Sequence, residues 1–372
     1  MEELNETEPI IFKEEKKSNK TILSDIKNEF ESTDLNDENL KNKYIKPFER
    51  KKQNSNTQKT NPGEKMIIKK LYEESNEEKN ELYSIKKNEN SIEEIYIDKE
   101  YTIKRNNTNQ LFIEFSYKED QNKTSKSTME DEGKSIINFN ENPKNTLFLL
   151  FDGHNGDSVS KYCRNHFDRI FKKNLSDEKL SIKRAITKTF LELDTELKNK
   201  GFIHIGSTGT IIYLTEEKNK KIIYSGNVGD TRSTLFNKKI ERLTNDHRVN
   251  DLREKDRIIN NGGFIMNERV NGQLMLTRVF GDFEFKNFGV KCDPFIMRKV
   301  IDDNLQNQFL IIASDGIWDM FEEKDIKDIL FDIYENNKDK DSVTDIICNK
   351  LIEECLSAGA WDNLSIFVVR LT

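Results

Sequence analysis

Two stretches of the chain are apolar at every position, and both stop on an acid. Leu147-Phe148-Leu149-Leu150-Phe151 runs into Asp152-Gly153-His154, and Phe309-Leu310-Ile311-Ile312-Ala313 runs into Ser314-Asp315-Gly316. A short unbroken apolar run bounded by turn residues predicts a strand buried on both faces. Elsewhere the spacing lengthens. Val159, Cys163, Phe167 and Ile170 recur at helical intervals, as do Ile182, Ile186, Phe190, Leu193 and Leu197, so two amphipathic helices are predicted in succession. Strands are predicted around Leu111, Phe112, Ile113 and Phe115, over 210–214, 221–225 and 233–236, and at the end over 364–371. Further helices are predicted over 322–335 and 341–357. Strands and helices fall into blocks rather than alternating, which favours an α+β fold of packed antiparallel sheets with helices outside.

Residues 1–105 have another texture. They are Lys, Glu, Asn, Ser and Asp with isolated apolar pairs such as Ile10-Ile11 and Ile67-Ile68. Such a segment cannot bury enough surface to offset the entropy of ordering, so a disordered charged tail is predicted, followed by a folded domain over 106–372. That dilution explains why hydrophobic and charged residues each make up 34% of the 372-residue chain. Within the domain, residues 246–276 are polar and irregular around Gly262-Gly263 and predict an inserted surface flap.

The net charge of −7 argues against nucleic acid or an anionic membrane as partner. No apolar run approaches a membrane span, and Met1-Glu2-Glu3-Leu4 carries neither a signal-sequence pattern nor a glycine for acylation. Cys163, Cys292, Cys348 and Cys355 have no metal-binding or disulfide-framework spacing. The expectation is a soluble, monomeric protein of the cytoplasm and/or nucleus.

The candidate chemistry lies in acids at strand ends and in glycine-containing turns: Glu130, Asp152, Asp230, Asp315 and Asp362, with Asp319 close behind. Brought together without cations, they would raise one another's pKa. Oxygen donors lacking a Cys or His cluster favour Mg²⁺ or Mn²⁺ over Zn²⁺. Two such ions about 3.5–4 Å apart can activate a water for attack on phosphorus. Gly153 lets the backbone lend a carbonyl, and His154 can carry a proton near neutral pH.

The order of motifs is specific. Met129-Glu130-Asp131, Asp152-Gly153-His154-Asn155-Gly156, Gly226-Asn227-Val228-Gly229-Asp230-Thr231-Arg232, Thr277-Arg278-Val279-Phe280-Gly281-Asp282, Ala313-Ser314-Asp315-Gly316-Ile317-Trp318-Asp319 and Trp361-Asp362-Asn363 resemble, in unbroken order over residues 110–372, the protein phosphatase 2C family of metal-dependent Ser/Thr phosphatases. The resemblance implies a four-layer α-β-β-α sandwich of two antiparallel sheets flanked by helices, with two metal ions in the cleft between them. It implies that Asp152 bridges both ions, that Asp315 and Asp362 complete the first, and that Glu130 and the Gly153 carbonyl serve the second. Asp230, Asp315 and Asp319 match the positions of a weaker third ion, and His154 matches the general acid that protonates the departing oxygen. The implied reaction is direct attack by a metal-bridging hydroxide on phosphoserine and phosphothreonine proteins, kinase-cascade components among them.

One departure bears on the chemistry. Lys126 stands where the family usually has an arginine; the charge is kept and the bidentate grip on phosphate is lost. That substitution supports an alternative, a weakly active or inactive phosphatase-fold adaptor. For the remaining residues, packing is the simpler reading. Arg278 and Asp282 are expected to form an ion pair, Trp318 and Trp361 to lie in the core, His247 to stabilise the start of the flap, and Asp230, if not a ligand, to pair with Arg232. The spacing Cys163-x5-Arg169 matches cysteine phosphatases, but Phe167 and a helical apolar stripe replace the phosphate-holding loop such enzymes need.

Overall fold

The computed structural model describes residues 94–97, 101–104, 111–340 and 342–372. In chain order, β1 (Ile95–Ile97), β2 (Tyr101–Lys104), β3 (Glu114–Asp120), β4 (Asp131–Ile137) and β5 (Thr146–His154) precede α1 (Ser158–Leu175) and α2 (Ile182–Asn199). Next come β6 (Gly206–Ser207), β7 (Gly209–Glu217), β8 (Lys220–Val228), β9 (Arg232–Phe236) and β10 (Ile240–Arg242). Then follow α3 (Leu252–Asn260), β11 (Ile265–Met266), β12 (Arg269–Val270), β13 (Phe280–Gly281), α4 (Phe283–Lys286) and β14 (Phe295–Val300). The chain closes with β15 (Phe309–Ala313), α5 (Asp315–Trp318), α6 (Glu323–Asn337), α7 (Val343–Ser357) and β16 (Leu364–Arg370).

Two antiparallel sheets organise these elements. The first runs β1-β4-β5-β7-β8-β14, with β6 joining β5 to β13; the second runs β10-β9-β15-β16-β3-β2. The unbroken apolar runs sit on central strands, and alternation divides their side chains between two cores. Leu147, Leu149 and Phe151 pack with Val159, Phe167, Ile186 and Phe190 of α1 and α2. Phe148 and Leu150 point the other way and meet Leu310, Ile312, Phe367 and Val369 of the second sheet. Ile311 and Ala313 complete the symmetry against Ile326, Leu330, Ile347 and Leu351 of α6 and α7. The result is four layers, helix, sheet, sheet, helix, as the motif resemblance implies.

The structure departs from the sequence reading at four points here. The predicted disordered tail lies outside the described residues except at its end, where β1 pairs with β4 and β2 with β3, so order begins before residue 106. The edge strand β14 escaped notice because its side chains are only partly buried and carry no clear alternation. The flap is not irregular: α3 and the β11–β12 hairpin surround a small core of Val249, Ile258, Val270, Leu274, Leu276 and Val279. Glu254, 2% exposed, anchors it, accepting bonds from Arg257 (2.6 Å), Arg278 (2.7 Å) and the Thr277 hydroxyl (2.8 Å). Burial alone would raise the Glu254 pKa; the two guanidinium groups overcome it and hold the carboxyl far below its ordinary value. The predicted Arg278–Asp282 pair is therefore replaced by Arg278–Glu254, a partner 24 residues earlier that local pattern does not disclose. Among the described residues no helix is long and apolar enough to cross a membrane.

Candidate active site

Strand β5 delivers Asp152 and β15 delivers Asp315 to the same end of the sandwich, and a cleft of about 320 Å³ opens there. Lys126, Glu130, Asp152, Gly153, His154, Asp230, Asp315 and Asp362 all line it. Asp319 stands beside it: the same guanidinium, that of Arg248, contacts Asp319 (3.3 Å) and Asp315 (3.4 Å). Every predicted site residue is thus gathered at one place.

Backbone and amide contacts fix the ligating segments. The Gly153 N–H donates to the Glu130 carbonyl at 3.2 Å, and the Ser160 hydroxyl donates to the same oxygen at 2.6 Å. A side chain at position 153 would collide with both, at 2.7 and 2.8 Å, so glycine is required by close approach. Asn363 clasps the far side: its amide donates to the carbonyls of Gln121 and Thr128, and its oxygen accepts from the Glu130 N–H at 2.9 Å. Thr208 holds Asp152, donating its N–H to the Asp152 carbonyl at 2.8 Å.

The electrostatics are those of acids crowded together. Burial first, and then the carboxylates of Asp131, Asp315, Asp230 and Asp362, push Asp152 well above the ordinary carboxylate range. Burial and the charges of Asp230, Asp319 and Asp362 do the same to Asp315. Asp131 lies directly opposite Asp152 across the β4–β5 ladder; burial raises it to about 7, with the Asp362 charge adding. Sequence reading noted this acid beside Glu130 without giving it a role; β4 carries no apolar alternation that would mark Asp131 as inward, and its burial follows from the β4–β5 register.

Basic side chains partly relieve the crowding. Lys126 meets Asp362 at 2.5 Å; burial works against its charge, but that bond, with Asp152 and Glu130 near, raises its pKa. Arg248 bonds Asp230 at 2.5 Å, while Arg232, the partner expected for Asp230, pairs with Asp246 and Glu323 instead. Among the described residues no three acids stand ready-made as a metal-holding group. The donor chemistry nonetheless fits hard divalent cations: the donors are all oxygens, converge on one cleft, and destabilise one another's charges, the conflict such ions remove.

Other expectations divide. Trp318 is buried and donates its indole N–H to the Ala313 carbonyl at 2.9 Å. Trp361 is not core; it is 59% exposed at the rim, with the Lys126 ammonium 5.7 Å from its ring centre, because the turn after Ala360 faces outward while β16 begins only at Leu364. Cys163 is fully buried on α1 and burial pushes its thiol pKa well up, which excludes a nucleophilic thiolate there. His247 is buried at the start of the flap, its Nδ1 3.2 Å from the Gly229 carbonyl. A second groove, of about 570 Å³, lies against α1 and α2, but its acids Glu192 and Glu196 are paired with Lys173 and Arg169 and do not converge.

Comparison with known proteins agrees with this geometry. Residues 115–364 match the model of the family described as protein phosphatase 2C. Protein phosphatase 2C homolog 1 of Saccharomyces cerevisiae is 32% identical over 268 residues, which span 68% of this chain and 92% of the relative. Human protein phosphatase 1A is 31% identical over 263 residues, 65% of this chain and 66% of the relative. The crystal structure of a serine-threonine phosphatase 2C from Toxoplasma gondii aligns with a TM-score of 0.62 at 17% identity, over 75% of this chain and 99% of that one, and supports the fold.

Proposed function

The chain belongs to the protein phosphatase 2C family and is a metal-dependent protein serine/threonine phosphatase, and on that premise we propose the roles of its cleft residues in the hydrolysis of phosphoserine and phosphothreonine. The family membership leaves the adaptor alternative unsupported. The observation that carries the residue assignment is the convergence of Glu130, Asp152, Asp315, Asp362, His154 and Lys126 on one cleft.

Asp152, Asp315 and Asp362, with Glu130 and the Gly153 carbonyl, would hold two Mg²⁺ or Mn²⁺ ions, and Asp230, Asp315 and Asp319 a third. When bound, the ions supply an acidified water and a counter-charge for phosphate. Lys126 remains cationic; one of its three N–H donors faces Asp362, and the others are available to phosphate oxygens. His154 gives its proton to the serine or threonine oxygen as the P–O bond breaks. The acidic lining of the cleft favours phosphoprotein substrates, for which we propose kinase-cascade components among others, over nucleic acid. We place the enzyme, as a monomer, in the cytoplasm and/or nucleus.

The test is a metal titration of the full chain on a phosphothreonine peptide. EDTA should abolish turnover and Mn²⁺ restore it, while Asp152→Asn and Asp315→Asn should each lose about 10³-fold or more in kcat, the scale of several kcal/mol of transition-state stabilisation. Full turnover in either variant would overturn the assignment.

A further inference from the structure

His154 is not alone in the cleft wall. Its Nε2 lies 2.6 Å from Oδ2 of Asp282, a carboxylate 1% exposed whose other oxygen, Oδ1, is buried without a partner. The pair is built by strand register. In the short ribbon β5-β6-β13, His154 stands opposite Gly206, and Gly206 opposite Gly281, which puts Asp282 one residue beyond the ribbon and against the imidazole. Two backbone features serve this placement. Asp282 adopts a left-handed conformation (φ 48°, ψ 47°), uncommon for a residue with a side chain, and its N–H is held by the Ile205 carbonyl at 3.1 Å. Gly206 leaves the room: a Cβ there would meet Asp282 Oδ2 at 2.3 Å and His154 Nε2 at 2.5 Å. A buried acid, a strained backbone and an obligatory glycine all converge on one hydrogen bond.

We infer that Asp282 is a positioning residue for the proton donor: it accepts the Nε2–H of His154, fixes the ring, and commits Nδ1 as the nitrogen that serves the substrate. The inference rests on the reading of His154 as general acid. In the step, the attacking oxygen forms its bond to phosphorus and the P–O bond to the serine or threonine oxygen breaks, leaving its electron pair on that oxygen. The Nδ1 proton passes to that oxygen, and the imidazolium becomes neutral imidazole. Asp282 keeps the Nε2–H bond throughout, the orienting part that a carboxylate plays behind a catalytic histidine in other hydrolases.

The experiment compares two leaving groups in the full chain with Mn²⁺. Asparagine keeps the size of Asp282 and tolerates the left-handed backbone, so Asp282→Asn should fold. Its kcat on a phosphothreonine peptide should fall about 10–100-fold at nearly constant KM, and on p-nitrophenyl phosphate less than about 3-fold, because nitrophenolate departs without a proton. Gly206→Ala, which wedges the pair apart from the other side, should show the same selectivity. A reading free of metal and turnover is the His154 ring N–H proton, identified by its absence in His154→Gln: downfield and slow to exchange in the parent, lost in Asp282→Asn. Equal losses on both substrates in Asp282→Asn and Gly206→Ala, alongside a selective loss in His154→Gln, would overturn the positioning role while leaving the general acid in place. An unselective His154→Gln would instead remove the general acid itself.

Discussion

Strands β5 and β15 are built alike and end differently. Each is the buried centre of its sheet, each divides its side chains between the inter-sheet core and an outer helix pair, and each delivers an aspartate to the cleft. Beyond that point β5 meets acids: Asp131 opposite in register, with Asp315, Asp230 and Asp362 close by. The chain after β15 enters α5, which sets Asp315 and Asp319 one turn apart, and both face Arg248. One device therefore produces two electrostatic settings: at Asp152 the repulsion is eased only by the nearby Lys126 ammonium, which bonds Asp362, and at Asp315 it is answered by direct contact with Arg248. The difference suggests where a bound cation does most: at the β5 end, where no guanidinium shares the charge.

The structural likeness of the two strands predicts the largest effects. Phe148→Ala should cost about 3–5 kcal/mol and Ile311→Ala about 2–5 kcal/mol of unfolding free energy in denaturant titrations, since each empties a fully buried site. A near-neutral result for either would break the comparison.

A smaller effect comes from the flap residue next to Arg248. Burial, then the positive charge of Arg278, lowers His247 to about 4; Glu254 and the Gly229 carbonyl act the other way, and Arg257 adds to the lowering. An unfolded histidine titrates near about 6.5. Between those values the unfolded chain takes up a proton that the folded chain refuses, so stability is full above about pH 6.5 and declines as pH falls to about 4, by about 3 kcal/mol in all. In His247→Gln that slope should vanish from a pH series of melts. If the slope persists unchanged, another group titrates there.

The smallest effect sharpens the contrast itself. In metal-free protein, Asp152→Asn should raise the melting temperature slightly by removing one of the crowded buried acids. Asp315→Asn should gain less, because it also loses its contact with Arg248, and Arg248→Gln should make the β15 end as strained as the β5 end. Equal melting shifts for the two aspartate variants would show that Arg248 does not distinguish them.

Much of this was legible in the linear chain, and the reason is local. An unbroken apolar run can satisfy only a strand covered on both faces, and a 3.6-residue stripe only a helix against a sheet, so β5, β15, α1 and α2 follow from spacing alone. The acids ending those runs announced the site because there are several of them: one Asp-Gly is an ordinary turn, whereas a set of acids at strand ends, brought together, calls for cations. What the tertiary structure alone decided is which charges meet. Asp282 reaches His154 across 128 residues, Arg278 takes Glu254 rather than its near neighbour, Arg248 reaches Asp230, Asp315 and Asp319, and Trp361 faces water. Periodicity fixes which face of an element is buried, whereas a pairing depends on distance in space and on the desolvation both partners share, and neither quantity is written in the neighbouring residues.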